Sequence, residues 1–94
     1  VPAALVLRGN HPNPFNPRTT IRFGIPRQER VRAAVYDTRG RLVRTLVDGI
    51  LPAGHHTTVW NGLDDTGSKV GSGIYLYRIL AGDQVETGKM SLSK

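Results

Sequence analysis

From Thr19 to Ile25 every second side chain is large and apolar: Ile21, Phe23 and Ile25 fall on one side, Thr20, Arg22 and Gly24 on the other. Successive side chains of an extended strand point to opposite faces, so this alternation specifies a strand with one face in a core and one in water. The same period runs from Arg30 to Asp37, where Val31, Ala33 and Val35 oppose Arg30, Arg32, Ala34 and Tyr36. It returns from Ile74 to Leu80, where Tyr75, Tyr77 and Ile79 share a face. The punctuation agrees. Eleven Gly and six Pro in 94 residues place turn signals at intervals of roughly 8–12 residues, which suits short strands and leaves little room for helices.

Four further segments complete the reading. Ala3–Leu7 is predicted to be a first, edge-forming strand after a linker remnant, the two together covering residues 1–7. Leu42–Val47 follows the turn Asp37-Thr38-Arg39-Gly40, whose first and fourth residues fit a type I turn. Its apolar residues at 42, 43, 46 and 47 are also compatible with a helix, but six residues between turn signals are too few for one. Asp48-Gly49 and Pro52-Ala53-Gly54 are predicted turns, His55–Trp60 a strand, Asn61–Gly67 a turn-dense loop, and Val85–Leu92 the last strand. The segment Pro12–Pro17 carries three prolines and can be neither helix nor central strand; it is predicted to be a stiff crossing loop anchored by Phe15. About seven strands and no helix define an all-β protein, an immunoglobulin-like antiparallel β-sandwich forming one domain over residues 1–94. Its predicted core is Ile21, Phe23, Val31, Val35, Trp60, Tyr75, Tyr77, Ile79 and Met90.

The absence of cysteine excludes disulfides, thiolate metal sites and a cysteine nucleophile. Thirteen basic against seven acidic residues give a net charge of +6. That surplus suits an anionic surface glycan or lipopolysaccharide. A nucleic-acid surface would interleave aromatic residues with the arginines; here the tyrosines fall on core faces, so no nucleic-acid partner is expected. Arg22, Arg30 and Arg32 project from outward faces and form a basic patch if their strands share a sheet. No apolar run approaches the roughly 20 residues of a membrane span. Val1-Pro2-Ala3 does not open a signal peptide, and the expectation is the C-terminal domain of a larger exported protein.

Candidate chemistry is sparse. His55 and His56 are adjacent on a strand and point to opposite faces, so they cannot chelate one ion, and His11 is distant in sequence. Asp64-Asp65-Thr66-Gly67 lacks the alternating oxygen ligands and closing Glu of a calcium loop; a turn held by Asp bonds to its own backbone is expected. No Ser occupies a nucleophile elbow, and Glu29 and Glu86 have no evident partner. Trp60 is expected between the sheets; an exposed Trp60 would instead be a platform for a sugar ring. No catalytic, cofactor or metal residues are assigned.

Three segments carry a family resemblance. Asn10–Phe23 resembles the opening of the C-terminal sorting domains of the bacterial type IX secretion system, Val35–Val43 their central motif, and Gly73–Ile79 through Lys89-Met90 their closing motif. The same pattern is similar to the Ig-like domain of the flagellar hook-capping protein, which Trp60-Asn61-Gly62 followed by Asp64, Gly67 and Gly73-Ile74-Tyr75 approaches closely. The sorting resemblance implies a seven-stranded sandwich, recognition by outer-membrane secretion machinery, a covalently linked upstream passenger, and an exported, surface-attached or secreted location. The recognition surface is then expected where Gly73, Lys89 and Lys94 meet. A structural spacer or glycan-binding accessory module of an extracellular enzyme, and a hook-cap-like scaffold domain, are the alternatives.

Overall fold

The computed structural model of the chain describes residues 2–93. Seven strands, β1 (Val6–His11), β2 (Thr19–Ile25), β3 (Glu29–Tyr36), β4 (Leu42–Leu51), β5 (Gly54–Trp60), β6 (Gly73–Ala81) and β7 (Gln84–Leu92), make up the fold. They form two antiparallel sheets, ordered β1-β2-β5 and β4-β3-β6-β7, and no helix occurs among the described residues. The inward residues of both sheets meet in one cluster that contains Ile21, Phe23 and Ile25 of β2, Val31, Ala33 and Val35 of β3, Trp60 of β5, Tyr77 and Ile79 of β6, and Met90 and Leu92 of β7. Each of these is at most 3% exposed, so the period-2 pattern specified the core faces of both sheets.

Two strands differ from the sequence expectation, and bulges explain both. The first strand is not Ala3–Leu7. β1 runs Val6–His11 and so includes Asn10 and His11. Gly9 takes left-handed backbone, φ 85°, and pairing with β2 jumps from Leu7–Phe23 to Asn10–Ile21. Glycine adopts that conformation without steric penalty, which lets the strand continue past it. β4 does not turn at Asp48-Gly49: Asp48 pairs with Arg32, Gly49 with Val31, and the strand ends only at Leu51. Within β4, Ala33 faces Val47 while Ala34 faces Thr45, and Val35 faces Arg44 while Tyr36 faces Leu42. Leu46 and Val43 are therefore inserted residues. Each insertion resets the alternation, so apolar residues arrive as the pairs 42–43 and 46–47 and imitate helical spacing.

Two core assignments also change. Tyr75 is partly buried rather than buried; its hydroxyl reaches out to the Gly71 carbonyl at 2.6 Å. Ala34 faces outward yet is 2% exposed. Arg78 starts opposite Ala34 in the ladder and ends over the Tyr36 ring, 5.3 Å from its centroid, so its stem spans the surface above Ala34.

Close packing across β6 and β7 depends on one missing side chain. Gly88 pairs with Tyr77, and a Cβ at Gly88 would run into the Tyr77 ring. Gly88→Ala must displace that ring from the core, and overpacking of this kind costs about 1–3 kcal/mol. Urea unfolding of Gly88→Ala is expected to show a loss in that range, and Gly88→Ala in a Tyr77→Leu background a smaller one.

Candidate functional site

The proline segment between β1 and β2 crosses to the other sheet. Prolines have no N–H to offer a ladder, so contact with β7 falls to the residues between them. The Phe15 amide donates to the Ser91 carbonyl at 3.0 Å, and the Phe15 carbonyl accepts from the Ser93 amide at 2.8 Å. Phe15 thus lies beside Leu92 as a parallel bridge. Asn13 Oδ1 accepts from the Ser91 amide at 3.0 Å. At the base of the segment Asn10 Nδ2 donates to Thr19 Oγ1 at 3.1 Å, and Thr19 Oγ1 donates to the Pro12 carbonyl at 2.8 Å. Thr19 is 0% exposed, and these two bonds satisfy its hydroxyl.

Beneath this segment lies an aromatic column. Phe15 is 2% exposed and its ring centroid is 5.6 Å from that of Trp60. Tyr75 meets the other side of Trp60 edge-on at 5.1 Å. The Trp60 indole donates to the Leu63 carbonyl at 2.8 Å, which fixes the start of the 61–72 loop. Gly62 follows with φ 77°, where a Cβ would press on the Pro17 carbonyl at 3.4 Å. Proline segment, 61–72 loop and the end of β7 therefore meet at one pole. They enclose a mostly apolar groove of about 370 Å³ that is lined by Pro17, Gly62, Leu63 and Leu92, with Asn16, Asn61 and Lys69 at its rim.

The remainder of the 61–72 loop is organised by its two aspartates. Asp64 Oδ1 accepts from the Thr66 hydroxyl at 2.6 Å and from the amides of Thr66 and Ser68. The bond from the Thr66 hydroxyl, then that from the Ser68 amide, holds the Asp64 carboxyl below its ordinary value. Asp65 instead serves the bulged strand: its Oδ1 accepts from Thr45 N at 3.1 Å, and its amide donates to the Val43 carbonyl at 2.9 Å. The bulges would otherwise leave those β4 groups unpaired. In the β3–β4 hairpin, which shares a depression with Asp64 and Tyr75, Asp37 Oδ1 accepts from the amides of Arg39 and Arg41. The Arg41 amide bond is the main cause that lowers the Asp37 carboxyl.

The sequence-predicted site residues fall as follows. Gly73 pairs with Leu92, and Lys89 pairs with Leu76, so both lie on the β6–β7 ladder, Gly73 at the pole and Lys89 farther along the outward face. Lys94 lies outside the described residues. The basic patch of Arg22, Arg30 and Arg32 does not form. β2 carries Arg22 in one sheet, while β3 carries Arg30 and Arg32 in the other. Arg30 is moreover engaged by Asp48 at 2.9 Å. Trp60 is 1% exposed and cannot stack on a sugar. His56 faces inward, its ring 5.6 Å from Phe23 and its Nε2 2.7 Å from the Pro52 carbonyl, while His55 is exposed on the outer face. Glu29 pairs with Arg27 at 3.2 Å. No cluster of three or more His, Asp or Glu side chains suited to a metal ion occurs among the described residues. Sequence reasoning named Phe15 as an anchor but missed its docking on residues 91–93, because a loop-to-strand bond leaves no periodic trace.

The fold is a two-sheet, seven-stranded immunoglobulin-like sandwich with a shallow pole built from loops. The chain belongs to the FlgD Ig-like domain family, whose profile matches residues 17–87. The basal-body rod modification protein FlgD of Salmonella typhimurium is 37% identical over 84 residues, 86% of this chain and 36% of that protein. The chain thus spans about a third of the length of this curated relative. Among solved structures, FlgD of P. aeruginosa superimposes with a TM-score of 0.67 at 20% identity, over 93% of this chain and 67% of that one. PorZ, a bacterial surface component of the type-IX secretion system of Porphyromonas gingivalis, gives 0.63 at 20% identity over 90% of this chain and 11% of that one. None of these matches indicates a catalytic family.

Two predictions follow from this geometry. Trp60→Ala empties the centre of the aromatic column and is expected to cost about 3–5 kcal/mol in urea unfolding, whereas Trp60→Phe keeps the ring stack and loses less. The pH dependence is set by Asp37 and Asp64, both lowered in the folded state. A carboxyl with a depressed folded value stabilises above its unfolded value and loses that contribution as pH falls through the folded one. The urea midpoint is therefore expected to fall with acidification below about pH 4. Asp64→Asn should flatten part of that decline.

Proposed function

We propose that the chain is a non-catalytic scaffold module of an exported assembly, of the hook-cap kind, which positions neighbouring polypeptides and transforms no substrate. The observation that carries this reading is the 37% identity to FlgD across 86% of the chain, well above what a shared fold alone produces between these sandwiches. The geometry is suited to the role. The pole groove is apolar with a polar rim, the composition of a contact surface rather than of a reaction site. The loops that form it are pinned by backbone bonds and by Trp60, so a partner would meet a preorganised surface. The test is a chimera: Salmonella FlgD with its Ig-like domain replaced by this chain. Restored hook assembly and swimming are the expected result. A folded, exported chimera that assembles no hook would count against the scaffold role.

A second reading, the type IX sorting domain, is favoured by one structural observation. The opening motif is bonded through Phe15 to Ser91 and Ser93, which follow directly on the closing motif, so a receptor could read both as one surface. In this reading the secretion machinery and a linked passenger are the partners, the domain over residues 1–94 follows the passenger, and Gly73, Lys89 and Lys94 contribute to recognition. A periplasm-directed reporter fused ahead of the domain should then reach the surface of a type IX host. Lys89→Ala, exposed on β7, should lower surface display without shifting the melting temperature. Periplasmic retention of the wild-type fusion would rule the sorting role out.

A further inference from the structure

Acidic residues are not shared evenly between the two sheets. None of the seven acidic residues lies in β1, β2 or β5. The outer face of that three-stranded sheet carries Arg8 on β1, Arg22 on β2, and His55 and Thr57 on β5, all exposed. Three ion pairs engage Arg27, Arg30 and Arg41, and among the described residues neither Arg8 nor Arg22 has an acidic partner. The sequence groups Arg22 with Arg30 and Arg32 because alternation does not reveal which sheet a strand joins; in the structure the Gly9 bulge sets Arg8 and Gly9 against Arg22. Thr57 flanks Arg22 from the other side in the ladder.

The floor of this face is shaped. A Cβ at Gly24 would come within 2.6 Å of Pro2 Cγ and 3.1 Å of His55 Nδ1, so the bare glycine lets Pro2 and His55 settle over β2. Two shallow depressions result, of about 440 and 430 Å³, and Arg8 and His55 line both. Together they make a trough across the sheet rather than a pocket.

We propose that this trough binds an extended acidic polysaccharide bearing carboxylates. Charge complementarity selects an anion, and the planar guanidinium fork suits carboxylate bidentately. The Thr57 hydroxyl and the His55 imidazole, set beside the arginines, suit sugar hydroxyls. The trough's continuity suits a polymer over a single small ion. A single-stranded nucleic acid would call for exposed aromatic rings on which its bases stack; the rings of Phe23 and Trp60 are 1% exposed and belong to the core, and duplex DNA enters as a competitor in the test. A protein partner would require a large aromatic or apolar anchor, and this face offers only Val6 and Val59, 39% and 49% exposed.

The test is the affinity of the whole chain for polygalacturonate at physiological salt, against its methyl ester and duplex DNA. Binding to the acid polymer and none to the ester is expected. Arg8→Gln/Arg22→Gln should weaken binding by about tenfold or more, while Arg32→Gln/Arg39→Gln, which removes equal charge elsewhere, should weaken it less than about threefold. Melting temperatures check that each variant is folded; should the first pair fail to fold, Thr57→Glu, which sets a carboxylate beside Arg22, should produce the same loss. Equal losses from both arginine pairs, no binding to the acid polymer, or tighter binding of DNA through Arg8 and Arg22 would each overturn the proposal.

Discussion

The structure depends on one contact between sheets: Phe15, held to residues 91–93 by backbone bonds, packed at a tilt against Trp60. Two sheets that touch only through apolar faces can slide, since the hydrophobic effect is non-directional. The paired bonds of 3.0 and 2.8 Å between Phe15 and β7 are directional and tie a loop of one sheet to a strand of the other. Trp60 then fixes the third component, because its indole bond to Leu63 orients the 61–72 loop. Asp65, carried by that loop, reaches the bulged edge of β4. Pole, long loop and strand edge thus form a single chain of dependencies that begins with one phenylalanine.

Most of the fold was legible because strands with one wet face write their orientation into the sequence. β2, β3 and β6 alternate cleanly, and their cores follow; β7 alternates only over its last residues, from Gly88 to Leu92. Residues inserted out of register broke the pattern elsewhere. The bulge at Gly9 hid the extent of β1, and the two in β4 turned an alternating strand into paired apolar residues, while Asp48-Gly49 carries turn-forming residue types inside a continuous ladder. The candidate site was less legible still. Which sheet a strand joins is decided by pairing, not by its own pattern, so Arg22 could not be separated from Arg30 and Arg32. Trp60 and the Asp64 turn were readable because each acts locally, one by filling a core and one by binding its own loop.

Family membership and electrostatics both support the proposed scaffold role. Five of the seven acidic residues serve the fold's own needs: Asp37 and Asp64 tighten turns, Asp65 covers a bulge, and Glu29 and Asp48 pair with arginines. The arginines of the three-stranded sheet have no such internal duty. Arg8 and Arg22 thus share one outer face without acidic neighbours, while the rest of the +6 surplus is spread over the other sheet and the loops.

The docking of Phe15 on Ser91 and Ser93 also sets an order of events. A chain that emerges from its amino end, whether from a ribosome or from an export channel, presents Phe15 early and its partners last. Contacts so far apart in sequence form slowly, because the closure entropy precedes any reward. Until residues 91–93 arrive, the proline segment has no strand to rest on and the column above Trp60 stays open. The pole is in this sense a latch that records whether this domain has been delivered through to β7, and a product stalled before β7 would remain open at the surface that partners are proposed to meet.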